Sequence, residues 1–316
     1  MANISKVSSV AAASIKTIDG VSKASIGKFN NLSFASSTTA YVSGNLEFHI
    51  NANDSNSYDG TTTWTDLSGT ENCTLVNGPT KPSGEEYVGF DGNDDRGQVT
   101  WASSDYFFGS TSNRTLWNTM SMQVIVSFDE DGSTGFVRGD AMLGFGSRNQ
   151  TGGTRGFRMF VGRRGLSVDL LFGTRMDCRW PNTSEFQYNS SRGYYEPKPG
   201  RVYSVALTMD RTTSTNGDGH FNGFLNGAQW TPQSMDGSAT QLNSTSSWDS
   251  QYINNSSVRK GRDVWYLNHN QVSSGALASS SLQANVHEVI LYTDVLTSSE
   301  INQNLSAYTD RYGALN

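Results

Sequence analysis

The chain has 316 residues, 35% of them apolar and 11% aromatic, with 32 glycines, 6 prolines and a formal net charge of −6. An acidic chain without a basic stripe lacks the footprint of a nucleic-acid-binding protein, and no apolar run approaches the roughly 18 residues of a membrane-spanning helix. Abundant Gly, Asn, Ser and Thr between aromatic and β-branched runs point to an all-β sandwich or barrel, with large aromatic side chains carrying the core.

Residues 1–34 hold an eleven-residue repeat, ISKVSSVAAAS, IKTIDGVSKAS and IGKFNNLSF. Three apolar columns recur through it: Ile4, Ile15 and Ile26; Val7, Ile18 and Phe29; Val10, Val21 and Leu32. An eleven-residue period fits either a right-handed helical coiled coil or a stack of short β-turn units. The β-branched residues, with turn formers at Asp19-Gly20 and Asn30-Asn31, select the β reading. Three such units bury little area by themselves, so they need a surface to dock on or copies of themselves. These nine residues are therefore the expected anchoring set. The segment resembles the runs of the form I-x-K-V-x-G-V-x-x-A-x found near the ends of phage structural proteins. The apolar stretch Val7–Ala13 is too short, and too interrupted by Ser8 and Ser9, for a secretory leader.

A Ser/Thr linker over 35–41 leads into the body, 42–316. Its predicted strands are 45–52, 87–92, 120–128, 141–146, 156–162, 166–173, 202–210, 221–227 and 284–292, separated by Gly, Asn and Asp turns. That spacing fits two antiparallel sheets. A helix closes the chain: Thr297 and Glu300 form a capping box, Gly313 stands at the C-cap, and Ile301, Leu305 and Tyr308 share one face.

The body resembles the concanavalin A-like, or laminin-G-like, lectin domains. The resemblance is carried, in order, by Leu46, Ala52, Ser57-Tyr58 and Trp64-Thr65-Asp66-Leu67-Ser68-Gly69, then by Phe90-Asp91-Gly92-Asn93-Asp94-Asp95. MSMQVIVSF (120–128), RVYSVALTMD with FNGFLNG, and VHEVILYTDVLTSSEI (286–301) follow. It implies a jelly-roll sandwich of two curved antiparallel sheets with a short C-terminal helix, behind the small β-repeat arm. It also implies that Trp64 lies over the edge of the core, that Glu288 caps backbone amides, and that acidic residues near the rim can hold calcium.

Glycoside hydrolysis needs two carboxylates at a set separation. No strand shows the matching alternation, since Phe128-Asp129-Glu130-Asp131-Gly132 reads as a turn. His49 and His287 read as satisfied strand residues, and neither has a local Ser or Cys partner for a triad. The expectation is a protein that is not an enzyme. Asp91, Asp94 and Asp95, or Asp129 with Asp131, offer hard oxygen ligands at short spacing, for which calcium is the matching cofactor; solvated turn acids are the alternative. Sugars are gripped by aromatic faces beside polar groups, and the irregular stretch 174–199 is rich in both. The glycan-binding candidates are Arg179, Trp180, Tyr194, Tyr195, Trp230 and Trp248, with coverage of loops as the alternative. Cys73 and Cys178 read as separate thiols.

Together these readings describe a phage structural protein on the virion surface. Its repeats would meet capsid or tail proteins, or further copies of the chain, and its lectin-like domain would be displayed toward cell-surface glycans. Capsid decoration or a head fibre, a tail- or neck-associated adhesin, and a free bacterial lectin remain open.

Overall fold

The computed structural model describes residues 17–18, 21–22, 28–29, 32–33, 39–69, 71–91, 94–100, 119–128, 158–162, 165–170, 174–190, 193–210, 220–230, 264–267 and 283–315. The front of the chain forms two minimal hairpins, β1 (Thr17–Ile18) with β2 (Val21–Ser22) and β3 (Lys28–Phe29) with β4 (Leu32–Ser33). Ile18 pairs with Val21, and Phe29 with Leu32. The two hairpins are offset by the eleven-residue period. Ile4, Val7, Val10, Ile15 and Ile26 lie outside the described residues.

The body continues with β5 (Leu46–Asn51), β6 (Thr63–Trp64), β7 (Cys73–Val76), β8 (Val88–Asp91), β9 (Arg96–Thr100) and β10 (Thr119–Ser127). Next come β11 (Arg158–Gly162), β12 (Gly165–Leu170), β13 (Thr174–Arg179), β14 (Phe186–Asn189) and β15 (Tyr194–Pro197). The last strands are β16 (Val202–Asp210), β17 (His220–Leu225), β18 (Ala228–Trp230), β19 (Val264–Leu267) and β20 (Gln283–Tyr292), before helix α1 (Ser298–Tyr312). The largest sheet runs β18-β17-β16-β10-β20-β5, with β8 also paired to β20. A four-stranded sheet, β19-β9-β7-β6, and a three-stranded one, β11-β12-β13, complete the layers. All named pairings are antiparallel, which is the predicted all-β class. The stretch 174–199, expected to be irregular, contains β13, β14 and β15. The predicted strand at 141–146 lies outside the described residues.

Period-two alternation puts one face of β10 and β16 into the core. Met122, Val124 and Val126 meet Tyr203, Val205 and Leu207 there, and the second layer supplies Trp64, Leu75, Val99, Val161 and Leu166. Trp64 is fully buried in this core rather than lying over its edge. Cys73 is a buried free thiol, pushed up to about 12 by burial.

Strand β20 departs from simple alternation. Val126 pairs with Val286 and Ile125 with Glu288, so His287 is an extra residue in the ladder. Such a bulge resets which face each side chain takes. Val286 and Val289 both reach the main core, while His287 and Glu288 both meet groups on the opposite face. That face is covered by α1 and the segment entering the body. Ile301 and Leu296 pack with Ala206, Phe224, Ile290 and Tyr292. Asn304, rather than Leu305, takes a buried helix position: its side chain reaches Gln123 Oε1 and accepts from the Val42 amide and the Tyr292 hydroxyl. The capping box is present, with the Glu300 amide donating to Thr297 Oγ1 and the Thr297 amide to Glu300 Oε2.

Two polar clusters lie under this cover. Glu288 Oε1 accepts from the Tyr41 hydroxyl at 2.6 Å and Asn51 Nδ2 at 2.6 Å, with His49 Nε2 at 2.9 Å. It therefore binds side chains, not the backbone amides expected of it. Burial first, then the Glu288 carboxylate, hold the Tyr41 phenol far above its ordinary range. His287 lies between Ser127 Oγ and the Tyr308 hydroxyl, each 3.2 Å away, with the Tyr87 ring edge-on. Both histidines are thus satisfied strand residues.

Burial lowers His287 from 6.5 to about 4. The folded chain holds it neutral, so its contribution is unchanged above pH 6.5. Below that value the unfolded chain takes up the proton first, and stability falls until about pH 4, by about 3 kcal/mol in all. Urea midpoints measured between pH 7 and 4 should drop accordingly, with a shallower drop in His287→Gln.

Candidate functional site

Among the described residues, Tyr188 and Leu67 are the large apolar side chains left exposed, at 58% and 36%. Tyr188 stands on the β14–β15 hairpin directly opposite Tyr195. Cross-strand partners point to the same face. Their rings lie 5.2 Å apart at 55°, with Tyr195 half-buried against the core. On the other face, Asn189 Nδ2 donates to both oxygens of the buried Glu196 at 3.1 Å. Gly193, at φ 72°, closes the turn by donating its amide to the Asn189 carbonyl. That left-handed position favours glycine.

The base of the hairpin is built from buried aromatics. Trp180 stacks on Trp230 and on Phe186, each at 4.9 Å, and Phe186 stacks on Tyr203 at 5.1 Å. The Tyr203 hydroxyl accepts from the Lys198 amide and donates to the Glu185 carbonyl, both at 2.9 Å. One hydroxyl therefore clamps the residues just before β14 and just after β15. Glu185 is held further by Arg201 Nη2 at 3.2 Å and Asn226 Nδ2 at 3.1 Å. Lys198 Nζ donates to the Ser184 carbonyl. A tyrosine on so fixed a base loses little freedom when a ligand covers it.

The predicted glycan residues divide on this geometry. Trp180 and Trp230 are 1% and 5% exposed, so neither offers a face to a sugar. This corrects the reading of them as contact residues: both belong to the core, and Trp230 ends strand β18. Tyr195 lies on the hairpin, opposite Tyr188. Arg179 and Tyr194 lie at strand positions in β13 and β15, and Trp248 lies outside the described residues. Tyr188 was missed; its signal is FQYN facing YYEP across a short Gly-containing turn.

The acidic turn does converge. Carboxylate oxygens of Asp91, Asp94 and Asp95 all lie within 4.8 Å of one another. Asp95 is buried, and its Oδ2 accepts the Asp91 amide at 3.0 Å, closing the turn. Burial, then the charges of Asp91 and Asp94, raise the Asp95 carboxyl above its usual range, against the pull of that amide. The group fits a hard cation in ligand type, with Asp95 Oδ2 engaged by the Asp91 amide and Asp94 Oδ2 by Asn77 Nδ2.

No protein-family model and no curated protein sequence matches the chain. Solved structures share its fold. A Trypanosoma rangeli sialidase in complex with 2,3-difluorosialic acid aligns with a TM-score of 0.52 and 15% identity over 85% of this chain and 34% of that one. A mutant of that sialidase displaying trans-sialidase activity aligns at 0.51 and 15% identity over 87% and 35%. A botulinum neurotoxin type C structure, described as depending on two ganglioside molecules for cell entry, aligns at 0.48 and 12% over 86% and 52%. The chain thus spans about a third of the sialidase structures. The expectation of a protein that is not an enzyme is corrected by these likenesses: the sandwich occurs in solved structures of enzymes, so missing carboxylate alternation does not place the chain outside catalysis. At this identity the likeness shows the fold, a lectin-like β-sandwich.

Proposed function

We propose that the chain is a glycan-recognising adhesion module, in which the β14–β15 hairpin presents Tyr188, backed by Tyr195, to the apolar face of a sugar ring. The observation that carries this reading is an exposed tyrosine on a hairpin clamped at its base by Tyr203 and the Trp180 stack. Aromatic side chains that unite an apolar face with a polar tip suit ligands with both characters. The solved structures of similar fold include one whose ligand is a sialic acid derivative, which supports trying acidic sugars first.

In the same reading, the N-terminal repeats attach the module to a phage particle, through capsid or tail proteins. The support is the pair of hairpins set eleven residues apart, with Ile18, Val21, Phe29 and Leu32 flanking their turns. Deleting residues 1–40 should leave a folded sandwich that no longer joins particles.

A glycan array probed with the full chain tests the recognition reading. Binding is expected, with Tyr188→Ala losing about tenfold or more in affinity, the loss of a tyrosine anchor worth above about 1–2 kcal/mol. Tyr188→Phe, which keeps the ring, should retain most of it. Equal binding by Tyr188→Ala would move the site elsewhere on the sandwich.

A further inference from the structure

The turn that follows β6 holds a feature separate from both the tyrosine hairpin and the Asp91 cluster. Asp66 is 5% exposed, and its Oδ1 is filled by three donors: the His49 amide at 2.8 Å, the Ser68 amide at 2.9 Å and the Ser68 hydroxyl at 2.8 Å. Its Oδ2 is buried and has no hydrogen-bond partner. An orphaned oxygen on a buried carboxylate is costly and calls for a counter-charge.

What Oδ2 faces is a hollow over Gly69. A Cβ built on Gly69 would lie 2.9 Å from Asp66 Oδ2, 3.3 Å from Glu71 Oε2 and 3.7 Å from the Glu47 carbonyl oxygen. Two buried acids and a main-chain carbonyl thus converge where only the lack of a side chain leaves room. Gly69 has no left-handed dihedral that would explain its presence. Ser68 and Gly69 are exposed, so water can complete a coordination shell.

We infer that Asp66, Glu71 and the Glu47 carbonyl form a calcium site over Gly69. Carboxylate and carbonyl oxygens in an irregular turn, open to water on one side, suit calcium's large and flexible shell; magnesium demands closer octahedral geometry. The ion fastens the turn to β5, which lies at the end of its sheet and already exchanges main-chain and side-chain bonds with it through His49. An edge strand so covered is shielded from pairing with other chains.

The test uses the full chain, stripped with a chelator and titrated with calcium chloride by calorimetry, with melting temperature as a second readout. The expected result is binding and a rise in melting temperature of several degrees, both lost in Gly69→Ala, whose methyl fills the hollow, and in Asp66→Asn. Asp94→Asn should keep them, which separates this site from the Asp91 cluster. Should Asp66→Asn fail to fold, Gly69→Ala and Glu71→Gln decide the matter. No calcium response in the parent chain overturns the inference. So does a response that survives Gly69→Ala, or one that only Asp94→Asn removes.

Discussion

Replacing Trp180 by alanine will cost about 3–5 kcal/mol of stability, the range for truncating a large buried aromatic side chain. Trp180 is 1% exposed and sits between Trp230 and Phe186, with Tyr203 5.8 Å away. Its removal leaves two flat ring faces with nothing against them, and close-packed walls do not collapse far enough to fill the gap. Phe186 is also the first residue of β14, so the damage passes to the hairpin that carries Tyr188. The variant should therefore lower the urea midpoint and, under conditions where it stays folded, weaken glycan binding. Trp180→Phe, which keeps a ring in the stack, should lose much less of both. A stable Trp180→Ala with full binding would show that the aromatic base does not position the hairpin.

The second large effect is expected at Glu288. Its Oε1 takes three close side-chain partners, from Tyr41, His49 and Asn51, at a site only 1% exposed. Glu288→Ala leaves the buried His49 and Asn51 side chains and the half-buried Tyr41 hydroxyl without their acceptor, at a combined cost of about 3–5 kcal/mol, since each orphaned group forfeits its desolvation and the losses overlap. Two neighbouring segments depend on the same atom: the paired strand β5 through His49 and Asn51, and the covering entry segment through Tyr41. Tyr41 in turn lies under the Arg311 guanidinium of α1, 4.7 Å from the ring centre. Glu288→Gln keeps the length and one acceptor oxygen, so it should recover much of the loss. Equilibrium urea unfolding checks this directly, and a midpoint in Glu288→Ala matching that of the parent would mean that these bonds add nothing net.

How far the residues alone predict this structure depends on how local the signal is. MSMQVIVSF and VYSVALTMD alternate strongly, and both emerge as central strands of the main sheet. Thr297, Glu300 and Gly313 are local capping chemistry and fix the helix ends. TRMDCR does alternate, with Thr174, Met176 and Cys178 set against Arg175, Asp177 and Arg179, but so short and charged a run reads equally as loop; pairing with β12 makes it β13. VHEV breaks the alternation of β20, and the break marks the bulge that sends His287 and Glu288 to the same face. The tryptophans misled because exposure depends on what folds over a residue, not on its neighbours in sequence. Trp180 follows a strand and looks like a loop aromatic, yet the rings of Phe186, Tyr203 and Trp230 enclose it. Tyr188 shows the reverse: only its place opposite Tyr195 reveals it.

The central claim is that Tyr188 contacts a sugar. Photochemically induced nuclear polarisation of tyrosines, recorded on the full chain with and without a saturating saccharide identified on the array, tests it most directly. The free chain should show a polarised Tyr188 signal, absent in Tyr188→Phe spectra used for assignment, and the saccharide should suppress it. A Tyr188 signal that stays at full strength while the saccharide is bound would contradict the account.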